Sequence, residues 1–89
     1  MRAIVTVTGK DRVGIIAEVC SLLASLRVNI LDINQTVMQE FFTMSMLVDV
    51  STTDIPFDEI REALSAQGAK TGLSIRIQRE DIFEAMHRI

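Results

Sequence analysis

The chain has 89 residues, enough for one small domain, and its 48% hydrophobic and 24% charged residues are typical of a folded protein. A formal net charge of −3 leaves no basic field to attract nucleic acid or an anionic membrane. One Cys excludes an internal disulfide, no apolar run approaches the ~20 residues of a membrane span, and a strand pattern follows Met1 directly. We therefore expect a cytoplasmic protein.

The first two predicted elements are a strand and an unusually apolar helix. Alternating side chains predict a strand over residues 2–8, and a helix is expected over residues 13–26, with Asp11 or Arg12 near its N-cap. Polar side chains occupy only one narrow stripe of this helix, and a sheet covers only one side of a helix. The apolar excess therefore predicts a surface that a second copy of the chain covers.

A β-hairpin follows the helix. The second strand is expected over residues 28–38, where a change in the phase of the apolar residues indicates a bulge near Leu31. Gln39 and Glu40 form the predicted turn, and the third strand alternates apolar and polar residues over 42–50.

The second half of the chain predicts a helix, a strand and a short tail helix. Thr53 and Asp54 are candidate caps of the helix, which is expected to stop at Gly68, and a strand follows over residues 73–78. The tail over 80–89 is predicted to be amphipathic and to pack on the same domain or on a partner chain. Its apolar residues are Ile82, Phe83, Met86 and Ile89.

The order of elements defines the fold class. The order β-α-β-β-α-β with right-handed crossovers predicts an α+β, ferredoxin-like sandwich, a four-stranded antiparallel sheet with two helices on one face. The domain should comprise residues 1–79, and the C-terminal helix residues 80–89.

No motif predicts catalysis or a metal site. The single His, His87, and the single Cys, Cys20, lie on different elements with no base or orienting group between them, so a core thiol and a surface imidazole are expected. The spacing of Cys, His and carboxylates fits no metal site, and we expect no cofactor. An RNA-recognition domain shares this order of elements, but it needs aromatic residues on its central strands, and this chain has no Tyr or Trp.

The junction between the first strand and the first helix carries the one informative motif, the glycine-bearing turn over residues 9–16. Free N–H groups at the helix start and the positive end of the helix dipole favour an anion such as a carboxylate. Asn29 begins the next strand, and we expect its amide near the same end of the sheet. The alternative is a purely structural turn with Asp11 as its cap.

The run from Val5 to Ile16, followed by Val28 to Ile30, resembles an ACT domain over residues 1–78. The similarity is closest to stand-alone bacterial ACT-domain proteins, and it extends to the ACT domains of the glycine-cleavage repressor and of formyltetrahydrofolate deformylase. Val13 departs from the family pattern, which usually has Pro at this position, and a Val there leaves the loop looser.

The resemblance implies a non-catalytic regulatory protein that binds a small ligand, an amino acid, at a homodimer interface and signals to a protein partner. It implies a ligand site at Asp11, Arg12, Val13, Gly14 and Ile15, with Asn29 contributed by the same chain or by a partner chain. The alternative is a module that dimerises and docks on another protein without any ligand.

Overall fold

The computed structural model describes residues 1–82 and has the predicted order of elements. Their bounds are β1 Arg2–Lys10, α1 Ile15–Ser25, β2 Asn29–Met38, β3 Phe41–Asp49, α2 Phe57–Thr71 and β4 Ser74–Arg79. The four strands form one antiparallel sheet in the order β2-β3-β1-β4, with both helices packed on one face. The predicted ferredoxin-like fold is confirmed. A helical turn begins at 80–82, and the rest of the predicted tail helix, with His87, lies outside the described residues.

The core lies between the helices and one face of the sheet, because the strands alternate as predicted. The inward side chains of the two central strands are almost fully buried, as are one stripe of each helix and alternate residues of β4. Burial of each such side chain stabilises the fold by about 1.5–3 kcal/mol. The side chains with the most complete burial are Val5, Val7, Ile15, Val19, Leu23, Met44, Met46, Val48, Ile60 and Leu64. The predicted bulge is confirmed by a register shift between Ile30 and Asp32.

The start of α1 differs from the prediction. The strand β1 runs on to Lys10, so the chain needs residues 11–14 to reverse its direction, and α1 begins only at Ile15. Asp11 is therefore not the N-cap. That position belongs to Gly14, whose φ of 95° lies in the left-handed region, and no side chain caps the helix.

The ends of α2 also differ from the prediction. Neither Thr53 nor Asp54 caps the helix, because Pro56 occupies the N-cap position without a side-chain hydrogen bond. The helix continues through Gly68, where a side chain has no room because an added Cβ would lie 2.5 Å from the carbonyl oxygen of Leu73. It ends at Gly72, which has a φ of 78°.

The apolar surplus lies mainly on the hairpin rather than on α1. Among the large apolar side chains of α1 only Ile16 is exposed, while Cys20, Leu22 and Leu26 are partly buried against the core. A helix of 11 residues is about 16 Å long and a strand of 10 residues about 33 Å, so α1 cannot cover the length of the edge strand β2. The hairpin exposes Leu31, Ile33, Val37, Met38 and Phe41.

Candidate functional site

A groove of about 500 Å³ lies between the start of α1 and the hairpin formed by β2 and β3. Four of the six predicted site residues line it, and five further residues complete its walls. The predicted members are Asp11, Arg12, Gly14 and Ile15, and the others are Ile16, Ala17, Gln35, Val37 and Phe42. The loop and the helix start therefore open onto a predominantly apolar wall.

Backbone geometry holds the loop that forms one side of the groove. The N–H of Asp11 donates a hydrogen bond of 2.7 Å to the carbonyl of Glu40, which ties the loop to the hairpin turn. At Gly14 the positive φ turns the chain into the helix, and its carbonyl accepts the first helical hydrogen bond from Glu18 at 3.0 Å. The N–H groups of the first helical turn have no acceptor within the helix and no side-chain cap. These donors are available to an anion.

Two charged side chains of opposite sign stand at the groove. Arg12 already has an ion-pair partner, because its guanidinium lies 2.7 Å from the carboxylate of Glu18. Within residues 1–82 the Asp11 carboxylate makes no hydrogen bond or ion pair. The uncapped helix start favours a carboxylate, and Asp11 attracts a cation such as an ammonium group. With the apolar wall alongside, the groove has the features that complement an amino acid: a carboxylate, an amine and a side chain.

Val13 and Asn29 lie outside this groove. The Val13 side chain is 98% exposed. Asn29 pairs with Asp49, which in turn pairs with Arg2, so it lies beside the start of β1 rather than its end. The expectation that it lies at the same end of the sheet as the loop is wrong within one chain, since β2 runs parallel to β1. Eight residues separate Asn29 from Val37, a distance of about 26 Å along a strand.

The hairpin contributes a wall of the groove that the loop motif did not predict. Gln35, Val37 and Phe42 line the groove, although none of them belongs to the loop motif. The predicted turn at Gln39 and Glu40 could have identified this wall. A two-residue turn fixes the register of the two strands and therefore pairs Val37 with Phe42.

Residues 1–82 lack the metal-site and membrane-span features of other functional classes. No three side chains among His, Cys, Asp and Glu come together as a metal site would require. Cys20 is partly buried on α1 and forms no disulfide. No helix in this range has the length and apolar character needed to cross a bilayer.

Comparison with known proteins gives consistent results. A sequence model described as the ACT domain matches residues 2–78. A UPF0237 protein of Clostridium acetobutylicum is 55% identical over the full length of both chains. The solved structure of an ACT domain protein from Streptococcus pneumoniae is 43% identical, with a TM-score of 0.83 over 94% of each chain. A formyltetrahydrofolate deformylase from Pseudomonas syringae is 27% identical, with a TM-score of 0.78, over 88% of this chain and 27% of that enzyme.

Proposed function

The chain belongs to the ACT domain family, and from this premise we propose that it is a non-catalytic, cytoplasmic regulatory protein that binds an amino acid between two copies of itself. Its activity would be to report the ligand to a protein partner. The observation that carries the proposal is the groove at the start of α1, in which an uncapped helix start and the Asp11 carboxylate stand beside an apolar wall.

Three parts of the groove support an amino acid as the ligand. The free N–H groups that follow Gly14 suit the ligand carboxylate, because they satisfy its oxygens and the helix dipole favours its charge. The Asp11 carboxylate suits the α-ammonium group. Ile15, Val37 and Phe42 offer the ligand side chain an apolar surface.

Two copies would complete the site. The edge strand β2 pairs with β3 on one side, and its other edge carries a row of exposed apolar side chains. If β2 of two copies paired antiparallel in full overlap, Asn29 of one copy would lie beside Met38 of the other, next to the Val37 wall of its groove. Because Leu31 is bulged, Asp32 would then face Thr36 rather than another carboxylate. This pairing would bring Asn29, distant from the groove in its own chain, to the groove end of β2 in the second copy.

This arrangement would connect ligand binding to assembly. A ligand held by Gly14 of one copy and Asn29 of the other would bind the dimer better than the monomer, and would therefore shift the population toward the dimer. A preference of ~1–3 kcal/mol between the two states is enough for regulation. A partner that recognises the dimer would then read the ligand concentration.

A module that dimerises and docks on a protein without any ligand is the second candidate. The exposed apolar side chains of the hairpin favour it, since Phe41 is 59% and Met38 70% exposed, and contiguous apolar patches mark interaction sites. The salt bridge between Arg12 and Glu18 also neutralises the cation nearest the groove.

Thermal unfolding against the twenty amino acids separates the two candidates. A ligand that binds only the folded state adds ~2.7 kcal/mol of stability at 100 times its dissociation constant, so at least one amino acid should raise the midpoint. The shift should vanish in Gly14→Val and in Asn29→Ala. Asn34→Ala is the matched control, because Asn34 lies on the same strand and the same sheet face as Asn29 but near the middle of the strand, away from the Met38 end of a paired copy. No shift with any amino acid in a well-folded dimer would refute the ligand and favour the docking module.

Light scattering tests the dimer independently of the ligand. Ile33→Lys should give a monomer, because it places a charge in the apolar row on β2. Ser74→Lys places the same charge on the opposite edge strand β4, so it should leave the dimer intact. A wild-type monomer at every concentration would contradict the proposal.

A further inference from the structure

The groove at the start of α1 presents apolar side chains both at its base and at its rim. Ile15 and Phe42 are only 1% and 4% exposed, so they belong to the core and form the base. Ile16 on α1 and Val37 on β2 are 38% and 50% exposed, and they lie on the two sides of the groove. Exposed apolar groups on both sides of one groove gain free energy when another apolar group covers them.

The charged side chains of the groove leave no charge free for the side chain of a bound amino acid. Arg12 is paired with the carboxylate of Glu18 at 2.7 Å, and its guanidinium also donates a hydrogen bond of 3.4 Å to the carbonyl oxygen of Val13. The Asp11 carboxylate, which has no partner within residues 1–82, would be neutralised by the α-ammonium group of the ligand. Among the described residues that line the groove, these two are the charged ones.

We propose that this groove selects an amino acid with a neutral, apolar side chain, and that Ile16 and Val37 set the preference. This inference rests on the proposed function, in which the helix start and Asp11 hold the α-carboxylate and α-ammonium groups. Gln35, the one neutral polar side chain of the groove wall, is exposed to water and therefore needs no partner in the ligand.

A charged ligand side chain would bind poorly for two reasons. Placing it against Ile16 and Val37 would remove part of its hydration shell, and no opposite charge would replace the lost water. An acidic side chain would also be repelled by Asp11 and would have to displace Glu18 from Arg12. A basic side chain would compete with the α-ammonium group of its own molecule for Asp11.

Apolar amino acids should bind in the order of the surface that they cover. Each buried methylene group lowers the dissociation constant by about four-fold. The side chain of L-leucine has three more carbon atoms than that of L-alanine. Even partial burial in an open groove should therefore make L-leucine bind about ten-fold tighter than L-alanine.

Calorimetric titration of the wild-type protein tests the selection with L-leucine, L-asparagine and L-aspartate, whose side chains have nearly the same shape but differ in polarity and charge. We expect L-leucine to bind about ten-fold tighter than L-asparagine, and L-aspartate to bind more weakly still. Equal affinity for L-leucine and L-aspartate, or for L-leucine and L-alanine, would overturn this inference and leave amino-acid binding in place. Failure of all twenty amino acids to bind would overturn the proposed function and this inference together.

Val37→Thr tests the residue that sets the preference. Threonine keeps the branched shape of the side chain and replaces one methyl group of the wall by a hydroxyl, so it should weaken L-leucine binding by about four-fold and leave L-alanine binding unchanged. Ile4→Thr is the matched control, because it introduces the same residue on the sheet face opposite the helices, and it should change neither affinity. An unchanged ratio of the two affinities in Val37→Thr would overturn the inference.

Discussion

Replacing Gly14 by Ala tests the loop geometry on which the proposed site depends. Gly14 has a φ of 95°, and a Cβ built on it meets no atom within 4 Å, so the cost is one of backbone conformation and not of collision. The left-handed region costs an L-residue about 1–2 kcal/mol, and the lower entropy of the unfolded Ala chain returns about 0.4–1 kcal/mol. We expect Gly14→Ala to lower the free energy of unfolding by about 1 kcal/mol, which is a fall of about 4–8 °C in Tm.

Gly72→Ala is the matched control for this change. Gly72 has a φ of 78° and likewise has no atom within 4 Å of an added Cβ, but it ends α2, away from the groove at α1. The two variants should lose similar stability when far-UV circular dichroism follows unfolding at one protein concentration; the absence of Trp and Tyr makes fluorescence unsuitable. Only Gly14→Ala should reduce the shift caused by an amino acid. A Gly14→Ala variant that is more stable than wild type would refute the left-handed turn.

Three further changes have expected outcomes in the same unfolding assay. Val13→Pro should raise stability by about 0.4–1 kcal/mol, because Val13 donates no backbone hydrogen bond within residues 1–82 and Pro restricts the unfolded chain; a lower midpoint would contradict this. Gly68→Ala should destabilise the fold although Ala favours helices by about 1 kcal/mol, since its Cβ would lie 2.5 Å from the carbonyl oxygen of Leu73; a higher midpoint would exclude that close approach. Hydrogen bonds from the hydroxyl and N–H of Ser51 lower the pKa of Asp49, so its carboxylate stabilises the fold above the pKa of the unfolded chain. The free energy of unfolding of wild type should therefore exceed that of Asp49→Asn by a constant amount above about pH 5, and this difference should disappear as the pH falls below about 4. A difference that does not change with pH would refute this contribution.

The parts of the fold that depend on local periodicity were predictable. Alternation placed Val5 and Met44 on the buried face of the sheet, and the change of phase after Ile30 located the bulge. The order of elements then left the ferredoxin-like sandwich as the expected architecture. Each of these inferences depends on the spacing of apolar residues within a short stretch of chain, and that spacing can be read directly from the sequence.

The start of α1 and the composition of the groove were less predictable. Asp11 is a good capping residue by type, but the extension of β1 depends on the pairing of Lys10 with Phe41, a contact between distant residues. The apolar wall depends on the register of Val37 against Phe42. The position of Asn29, by contrast, follows from the predicted β-α-β crossover, which makes β1 and β2 parallel and so places Asn29 at the opposite end of the sheet from the loop. The proposed roles of Asp11, Gly14 and Asn29 in ligand binding remain predictions.

The sequence alone determined the elements, the buried faces and the family, because side-chain periodicity and the loop motif are properties of short stretches of chain. Only the tertiary structure decided that four of the predicted site residues share a groove with the hairpin, and that the exposed apolar side chains lie more on the hairpin than on α1. These outcomes depend on which strands become neighbours and on how far a helix of 11 residues reaches over a longer strand. Such relations join residues far apart in the chain, and no local pattern encodes them.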